Sequence, residues 1–207
     1  MALLRAVSPD HQRDPKCPLA HSLTLAATLL LGVALAGHAA ASAATPPAPS
    51  ITRENEIKAA ALYNIIVFTD WPPTAFADAK SPLVIGVLGR GPIADLLKDL
   101  VENEQWHGRR VTLESYASPA QVKDCHVLFI GRSEHEGWSA LRGQWARRPV
   151  LTVSDAPDFA RRGGIVQLGI EHNRLKLTVN LAAARIGGLT ISSKVLRLSD
   201  VVGETGQ

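Results

Sequence analysis

Apolar positions between residues 54 and 70 recur every three to four residues, which predicts a helix with one buried face. The residues of that face are Ile57, Ala61, Leu62, Ile65 and Phe68. The sequence Trp71-Pro72-Pro73 follows directly. Because a residue before proline disfavours the α conformation, we expect the helix to end there.

Six short runs rich in β-branched residues follow, and they predict strands at 83–88, 111–116, 126–130, 149–153, 165–170 and 175–179. Helix-like stretches separate the first four runs, an alternation typical of a mostly parallel sheet covered by helices. Only residues 171–174 join the last two runs, which predicts an antiparallel hairpin. The expected fold class is therefore α/β: a single domain with a mostly parallel sheet flanked by helices and an appended antiparallel hairpin.

Two short helices are predicted after the hairpin. Asn180 is the candidate N-cap of the first helix and Gly187 its end. The second is predicted over residues 192–202, capped by Ser192 or Ser193. Its apolar positions recur at helical spacing, at Val195, Leu198, Val201 and Val202.

The N-terminal region has the layout of a secretory signal peptide. Three basic residues precede an uncharged apolar run at 23–37, and small residues follow it. A membrane anchor is the alternative, but a spanning helix needs about 20 apolar residues and this run is shorter. We therefore predict a signal peptide at 1–43, a flexible lead-in at 44–53, one domain at 54–202 and a tail at 203–207. The mature protein is therefore expected outside the cytoplasm.

Composition narrows the possible functions. The chain is 46% hydrophobic and 20% charged, as in ordinary globular proteins, and its formal net charge of +3 gives no indication of nucleic-acid binding. Cys125 is the only cysteine expected in the mature chain, which excludes an intrachain disulfide. It opens an apolar run, so we interpret it as a small buried residue.

A glycine loop raises the question of nucleotide binding. Residues 89–94, Gly-Arg-Gly-Pro-Ile-Ala, fit the permissive dinucleotide pattern G-x-G-x-x-A after a predicted strand. Pro92, however, removes a backbone N–H where a pyrophosphate would bind, and proline is common at the first turn of helices that bind nothing. We interpret the loop as a structural turn and expect no cofactor.

No catalytic or metal-binding motif is apparent, and the histidines lack the spacing of a metal site. Asp155 and Asp158 lie in a turn that follows a predicted strand. We interpret Asp155 as a helix cap whose side chain accepts hydrogen bonds from the backbone amides that follow it. Gly163 and Gly164 are interpreted as positions that permit positive φ before the next strand. A hydrolase that uses Asp155 with His135 remains an alternative, but the residues favour a protein that is not an enzyme.

Five stretches in the expected order carry a family resemblance: EIKAAALYNIIVFTDWP (56–72), PLVIGVLG (82–89), CHVLFIGRSE (125–134), PVLTVSDAPDFARRGGIVQL (149–168) and LTVNLAAARIGGLTISSKVLRL (177–198). The chain resembles the YfiR family of periplasmic proteins. That resemblance implies a repressor that binds the periplasmic sensor domain of a YfiN-type inner-membrane diguanylate cyclase and lowers cyclic-di-GMP signalling, with consequences for biofilm regulation. A second YfiR-like subunit, which would form a homodimer, is the alternative partner.

Aromatic and C-terminal residues are the candidate contacts with such a partner. Trp106 and Trp138 stand in polar surroundings, which often mark a binding surface. Leu196 projects about 100° away from Val195 in the predicted helix and is flanked by basic residues. The candidate contacts are Trp71, Trp138, Lys194, Leu196 and Arg197. The alternative function is a periplasmic small-ligand-binding protein with a cleft at the carboxyl ends of the parallel strands.

Overall fold

The computed structural model describes residues 49–172 and 174–203. The predicted signal peptide lies outside these residues, as does all of the predicted tail except Gly203. Within the described ranges, no helix is long and apolar enough to span a membrane. The helices there are α1 (Pro49–Val67), α2 (Pro92–Val101), α3 (Trp138–Trp145), α4 (Leu181–Ile186) and α5 (Ser193–Leu196).

The first helix begins and ends earlier than the sequence predicts. Residues 49–53, expected as part of a flexible lead-in, are helical. Proline is compatible with a first helical turn because its missing N–H would have no intrahelical acceptor there. α1 ends at Val67 because the backbone of the next residues pairs elsewhere, Thr69 opposite Ile191 and Asp70 opposite Thr190.

The strands of the described residues are β1 (Thr69–Asp70), β2 (Leu83–Leu88), β3 (Gln105–Trp106), β4 (Arg109–Tyr116), β5 (Val127–Ile130), β6 (Leu151–Ser154), β7 (Val166–Glu171), β8 (Arg174–Asn180), β9 (Thr190–Ile191) and β10 (Ser199–Val202). β1 and β9 form a small antiparallel sheet. The other strands form one sheet in the order β10-β8-β7-β6-β5-β2-β4-β3. Its central strands pair in parallel, in the order β4, β2, β5, β6 and β7. β7 and β8 form the predicted antiparallel hairpin. The α/β fold class is therefore confirmed.

Helices cover both faces of the sheet. α1 and α2 pack on one face, where their apolar side chains meet Ile85, Val127 and Val153 in the main core. α3 packs on the other face against Leu128 and Ile130 in a second, smaller core. The connection between β4 and β5, predicted to be helix-like, contains only a 3-10 turn at Pro119–Gln121.

The end of the domain departs most from the sequence prediction. The first short helix is as expected, since the Asn180 side chain accepts a hydrogen bond from the Ala183 N–H at 2.9 Å. The prediction of a helix over 192–202 is wrong for the second half of that range. α5 ends at Leu196, and β10 pairs in parallel with β8, with Val201 opposite Val179. Pairing with a distant strand therefore overrides the helical spacing of the apolar residues.

Candidate functional site

A cleft lies where the parallel sheet reverses its winding. The chain leaves β2 toward α2 on one face and leaves β5 toward α3 on the other. This is the topological switch point, where open α/β sheets bind ligands. The switch-point cleft has a volume of about 210 Å³ and is lined by the loops after β2 and β5, with Asn55 and Asp155. It is smaller than the roughly 300 Å³ at which ordinary ligand pockets begin.

The glycine loop of this cleft is built as a strand-to-helix turn. The Gly89 N–H donates to the Tyr116 carbonyl at 3.0 Å, so this amide is already used at the end of the sheet. Gly89 has a φ of +97°, which favours glycine. Gly91 caps α2, and Pro92 occupies the first helical turn. The geometry agrees with the interpretation of a structural turn.

A buried lysine joins α1 to the carboxyl end of β6. The Nζ of Lys58 lies 2.6 Å from Oε1 of Glu54 and 3.0 Å from Oδ2 of Asp155. The lysine side chain is only 4% exposed, and Asp155 is 14% exposed. Arg132 donates to the Asp155 backbone carbonyl at 3.0 Å. Lys58, Glu54 and Asp155 are hereafter called the Lys58 cluster, and Asp155 is its member in the lining of the switch-point cleft.

The Lys58 cluster corrects the interpretation of Asp155 as a backbone cap. Its carboxylate accepts from Lys58, and the Ser154 hydroxyl accepts from the Ala156 N–H instead, at 3.1 Å. His135, its partner in the hydrolase alternative, hydrogen-bonds through Nε2 to Arg162. The two residues of that alternative therefore have separate partners in the structure.

A polar groove adjoins the switch-point cleft on the α3 face of the sheet. Its volume is about 320 Å³, and it shares Arg132 and Asp155 with the cleft. Along β8, Leu177 and Val179 are buried, whereas Lys176 and Thr178 line this groove. The half of the sheet formed by β7, β8 and β10 therefore presents a polar surface on this face.

Burial determines the chemistry of Cys125. It raises the pKa of the Cys125 thiol to about 12, mainly because a thiolate would lose its hydration there. The thiol therefore stays protonated, and the structure supports its interpretation as a small buried residue.

Three of the tryptophans highlighted by the sequence are buried. Trp71 and Trp106 pack edge to face with ring centroids 5.2 Å apart, and Phe76 stacks on both Trp106 and His126. Trp138 is 2% exposed and packs on Phe159. The polar neighbours of Trp106 and Trp138 in the sequence therefore do not mark surface positions, because both rings turn into the cores.

The imidazole of His126 is held neutral within this aromatic group. Its Nδ1 accepts from the Val84 N–H at 3.0 Å, and its Nε2 lies 3.1 Å from the Ala75 carbonyl. Burial lowers the pKa of His126 because the charged form loses water. The Ala75 carbonyl opposes this shift, and the nearby Arg109 charge adds to it.

We expect the free energy of unfolding to fall as the pH drops below the ordinary histidine pKa of 6.5. The unfolded chain takes up the proton on His126 more readily than the folded protein, so acid favours unfolding. Urea unfolding at about pH 7.5 and about pH 5.5 measures the difference. His126→Asn should reduce it, and the exposed control His107→Asn should not. An unchanged pH dependence in His126→Asn would contradict this assignment.

Comparison with known proteins identifies the family. The model of the family described as YfiR/HmsC-like matches residues 55–200. This chain belongs to the YfiR/HmsC-like family. The match confirms the resemblance carried by the five sequence stretches, and it spans the domain from α1 to the start of β10. The YfiR-like family is regulatory rather than catalytic.

A solved structure of a conserved domain protein from Vibrio cholerae O1 biovar El Tor is also similar. The two proteins are 17% identical, and the TM-score is 0.47. The similar region covers 71% of this chain and 59% of the Vibrio protein. The YfiR-like chain therefore spans about three fifths of that protein.

The candidate partner contacts of this YfiR-like protein lie in different environments. Lys194 and Arg197 are exposed, whereas Leu196 is half-buried and packs against the main core. Leu198, which the sequence analysis placed on the buried helical face, is 78% exposed. The reason is that α5 ends at Leu196, so Leu198 falls in the turn before β10.

Proposed function

We propose that this chain is an exported periplasmic protein that binds the sensor domain of an inner-membrane diguanylate cyclase and represses it. The observation that carries the proposal is the YfiR/HmsC-like match over residues 55–200, which takes in almost the whole described domain. We further propose that residues 1–43 are removed as a signal peptide during export.

Repression requires a difference in affinity between two states of the cyclase. A bound protein lowers cyclic-di-GMP output only if it binds the inactive arrangement of the sensor domain more tightly than the active one. All nucleotide chemistry then takes place in the cyclase, across the membrane. This fits a glycine loop whose first amide already donates to the Tyr116 carbonyl.

We propose that the partner contacts a C-terminal patch formed by Lys194, Arg197 and Leu198. Leu198 supplies an exposed apolar side chain, and the two basic residues are exposed beside it in the sequence. An apolar residue with a charged rim is the usual composition of an interface anchor. Leu196 supports the patch from below, since it packs against the main core.

Leu198→Asp should abolish repression and leave the domain folded. Truncating an interface anchor costs about 2 kcal/mol or more, and a buried carboxylate adds to that loss. The full chain, with its leader, is expressed beside a YfiN-type cyclase, and cellular cyclic-di-GMP is measured. Calorimetry with the purified cyclase sensor domain measures binding directly.

Leu100→Asp is the matched control, because this partly exposed leucine lies on α2, away from the C-terminal patch. It should repress like the wild type. Leu196→Asp should instead lower the melting temperature. If Leu198→Asp folds and still represses, the patch is not the contact. If the wild-type protein neither binds nor represses the cyclase, the regulatory proposal itself is wrong.

A further inference from the structure

β10 is an edge strand of the eight-stranded sheet. Within residues 49–172 and 174–203, β8 is the only strand that pairs with it. Ser199 and Val201 are only half-buried, so the described part of the domain does not fully cover the other side of β10. An uncovered edge presents backbone N–H and carbonyl groups with which another chain can pair.

The pairing of β8 shows which way its own backbone groups point. The Asn180 N–H donates to the Ile165 carbonyl on the β7 side of the strand, at 2.8 Å. Backbone groups of successive residues in a strand point to opposite sides. The N–H and carbonyl of Val179 therefore point toward β10.

The same alternation assigns the backbone groups of β10. Val179 lies opposite Val201, and in a parallel pair such a residue bonds to the neighbours of the residue opposite. Those neighbours are Asp200 and Val202, whose backbone groups therefore point into the sheet. The N–H and carbonyl groups of Ser199 and Val201 point outward instead.

The opposite edge of the sheet is protected in ways that β10 is not. There β3 pairs with the start of β4, and the Val111 N–H donates to the Glu104 carbonyl at 3.2 Å. Charged side chains also lie along β4. Natural proteins use charges, prolines and bulges to keep sheet edges from pairing with other chains. β10 contains no proline, and its one charged residue, Asp200, lies 3.7 Å from Lys176 of β8.

The surface beside the β10 edge is apolar, with cations at one end. Leu198, directly before β10, is 78% exposed, the most exposed of the large apolar side chains in the described residues. Val201 and Val202 are half-buried in the strand itself. Lys194 and Arg197 are exposed at the end where β10 begins. A segment that paired with β10 would therefore meet apolar side chains and two positive charges.

We propose that the cyclase sensor domain binds by adding an extended segment to the outer edge of β10. This inference rests on the proposed function and specifies how the C-terminal patch is used. The backbone of the segment bonds to the free groups of Ser199 and Val201, and an apolar side chain packs on Leu198. A carboxylate near one end of the segment pairs with Lys194 or Arg197. In strand addition, main-chain hydrogen bonds supply affinity and the side chains supply specificity.

A second copy of the chain fits this edge less well. In a two-fold antiparallel pair that used all the free groups of both copies, the two Asp200 side chains would lie directly opposite each other. Like charges in that position destabilise a strand pair. A partner segment with a neutral or basic residue there avoids the repulsion.

Amide exchange in the wild-type protein, followed by NMR, tests the pairing. In the free protein, the Ser199 and Val201 amides should exchange fast. The Asp200 and Val202 amides should exchange slowly, because they donate to β8. A saturating amount of the purified sensor domain of a YfiN-type cyclase should slow exchange at Val201 about tenfold or more. If the sensor domain binds and Val201 still exchanges fast, the β10 edge is not the contact.

The same measurement distinguishes a second copy from the cyclase. Slow exchange at Val201 in the free protein, increasing with protein concentration, would show that a second copy occupies the edge. That result would overturn the assignment of the edge to the sensor domain.

Val201→Pro separates the backbone contact from the side chains of the patch. Proline removes the outward N–H but no hydrogen bond of the sheet, so the urea midpoint should stay near that of the wild type. Calorimetry should show about tenfold weaker binding to the sensor domain. Val201→Thr, the matched control, keeps the N–H and a β-branched side chain, and it should bind like the wild type. Val202→Pro removes an N–H that donates to β8, and it should lower the midpoint.

The outcomes separate this inference from the proposed function. If Val201→Pro folds and binds normally while Leu198→Asp does not bind, strand addition is wrong and the proposed function stands. Equal losses of affinity in Val201→Pro and Val201→Thr would assign the contact to the valine side chain, which also overturns strand addition. If the wild-type protein does not bind the sensor domain, the proposed function is wrong, and strand addition with it.

Discussion

Lys58→Met should lower the free energy of unfolding by about 3 kcal/mol. The substitution keeps the apolar stem of the side chain but removes the charge that Asp155 and Glu54 face at 3.0 and 2.6 Å. Asp155 is 14% exposed, so water compensates its carboxylate only in part. A buried charge that loses its partner is much more costly than an exposed one. Urea unfolding measured by circular dichroism tests this.

Two further variants define the origin of the effect. Lys176→Met removes an exposed lysine that also contacts two carboxylates, those of Glu171 and Asp200, and should lower the free energy of unfolding much less, because water screens exposed ion pairs. The double variant Lys58→Met with Asp155→Ala should recover part of the loss, because no unpaired carboxylate remains at β6. If Lys58→Met costs no more than Lys176→Met, the Lys58 cluster does not hold α1 on the sheet.

Local sequence patterns were sufficient for the central strands. β2 occupies Leu83–Leu88, the same residues as the predicted run at 83–88. A buried parallel strand is a continuous apolar run, and here Pro82 and Gly89 mark its ends. The run 199–202 contains only two valines, and its conformation depends on pairing with β8, about 20 residues away in sequence. The pattern of apolar residues within 199–202 gives no indication of such a pairing.

The sequence predicted the candidate sites less well than it predicted the fold. Lys58 lies on the apolar stripe of α1, three and four positions before Ala61 and Leu62, and this spacing is the signal that it is buried. Its partner across the fold, Asp155, is 97 positions away in sequence. The burial of Trp138 could not be predicted either, because its neighbours in the sequence are polar and its packing on Phe159 becomes apparent only once the backbone is placed.

Gly164 is a second position where the structure predicts a large effect. The sequence analysis assigned positive φ to both Gly163 and Gly164, but only Gly163 has it, at +92°. The constraint on Gly164 is steric instead. A Cβ at this position would lie 2.0 Å from Cε1 and 2.3 Å from Cδ1 of Phe159, whose side chain is fully buried.

Gly164→Ala should therefore lower the free energy of unfolding by about 3 kcal/mol, at the upper end for overpacked cores. Phe159 cannot move freely, because it packs on Trp138 and accepts the Gly164 N–H at its carbonyl, at 2.9 Å. Urea unfolding gives the change. Gly143→Ala in α3 is the control: its Cβ would meet nothing within 4 Å, so helix propensity should stabilise the protein by about 0.5 to 1 kcal/mol. Equal stability of Gly164→Ala and the wild type would show that the 159–164 turn opens easily, and that packing on Trp138 does not hold Phe159 in place.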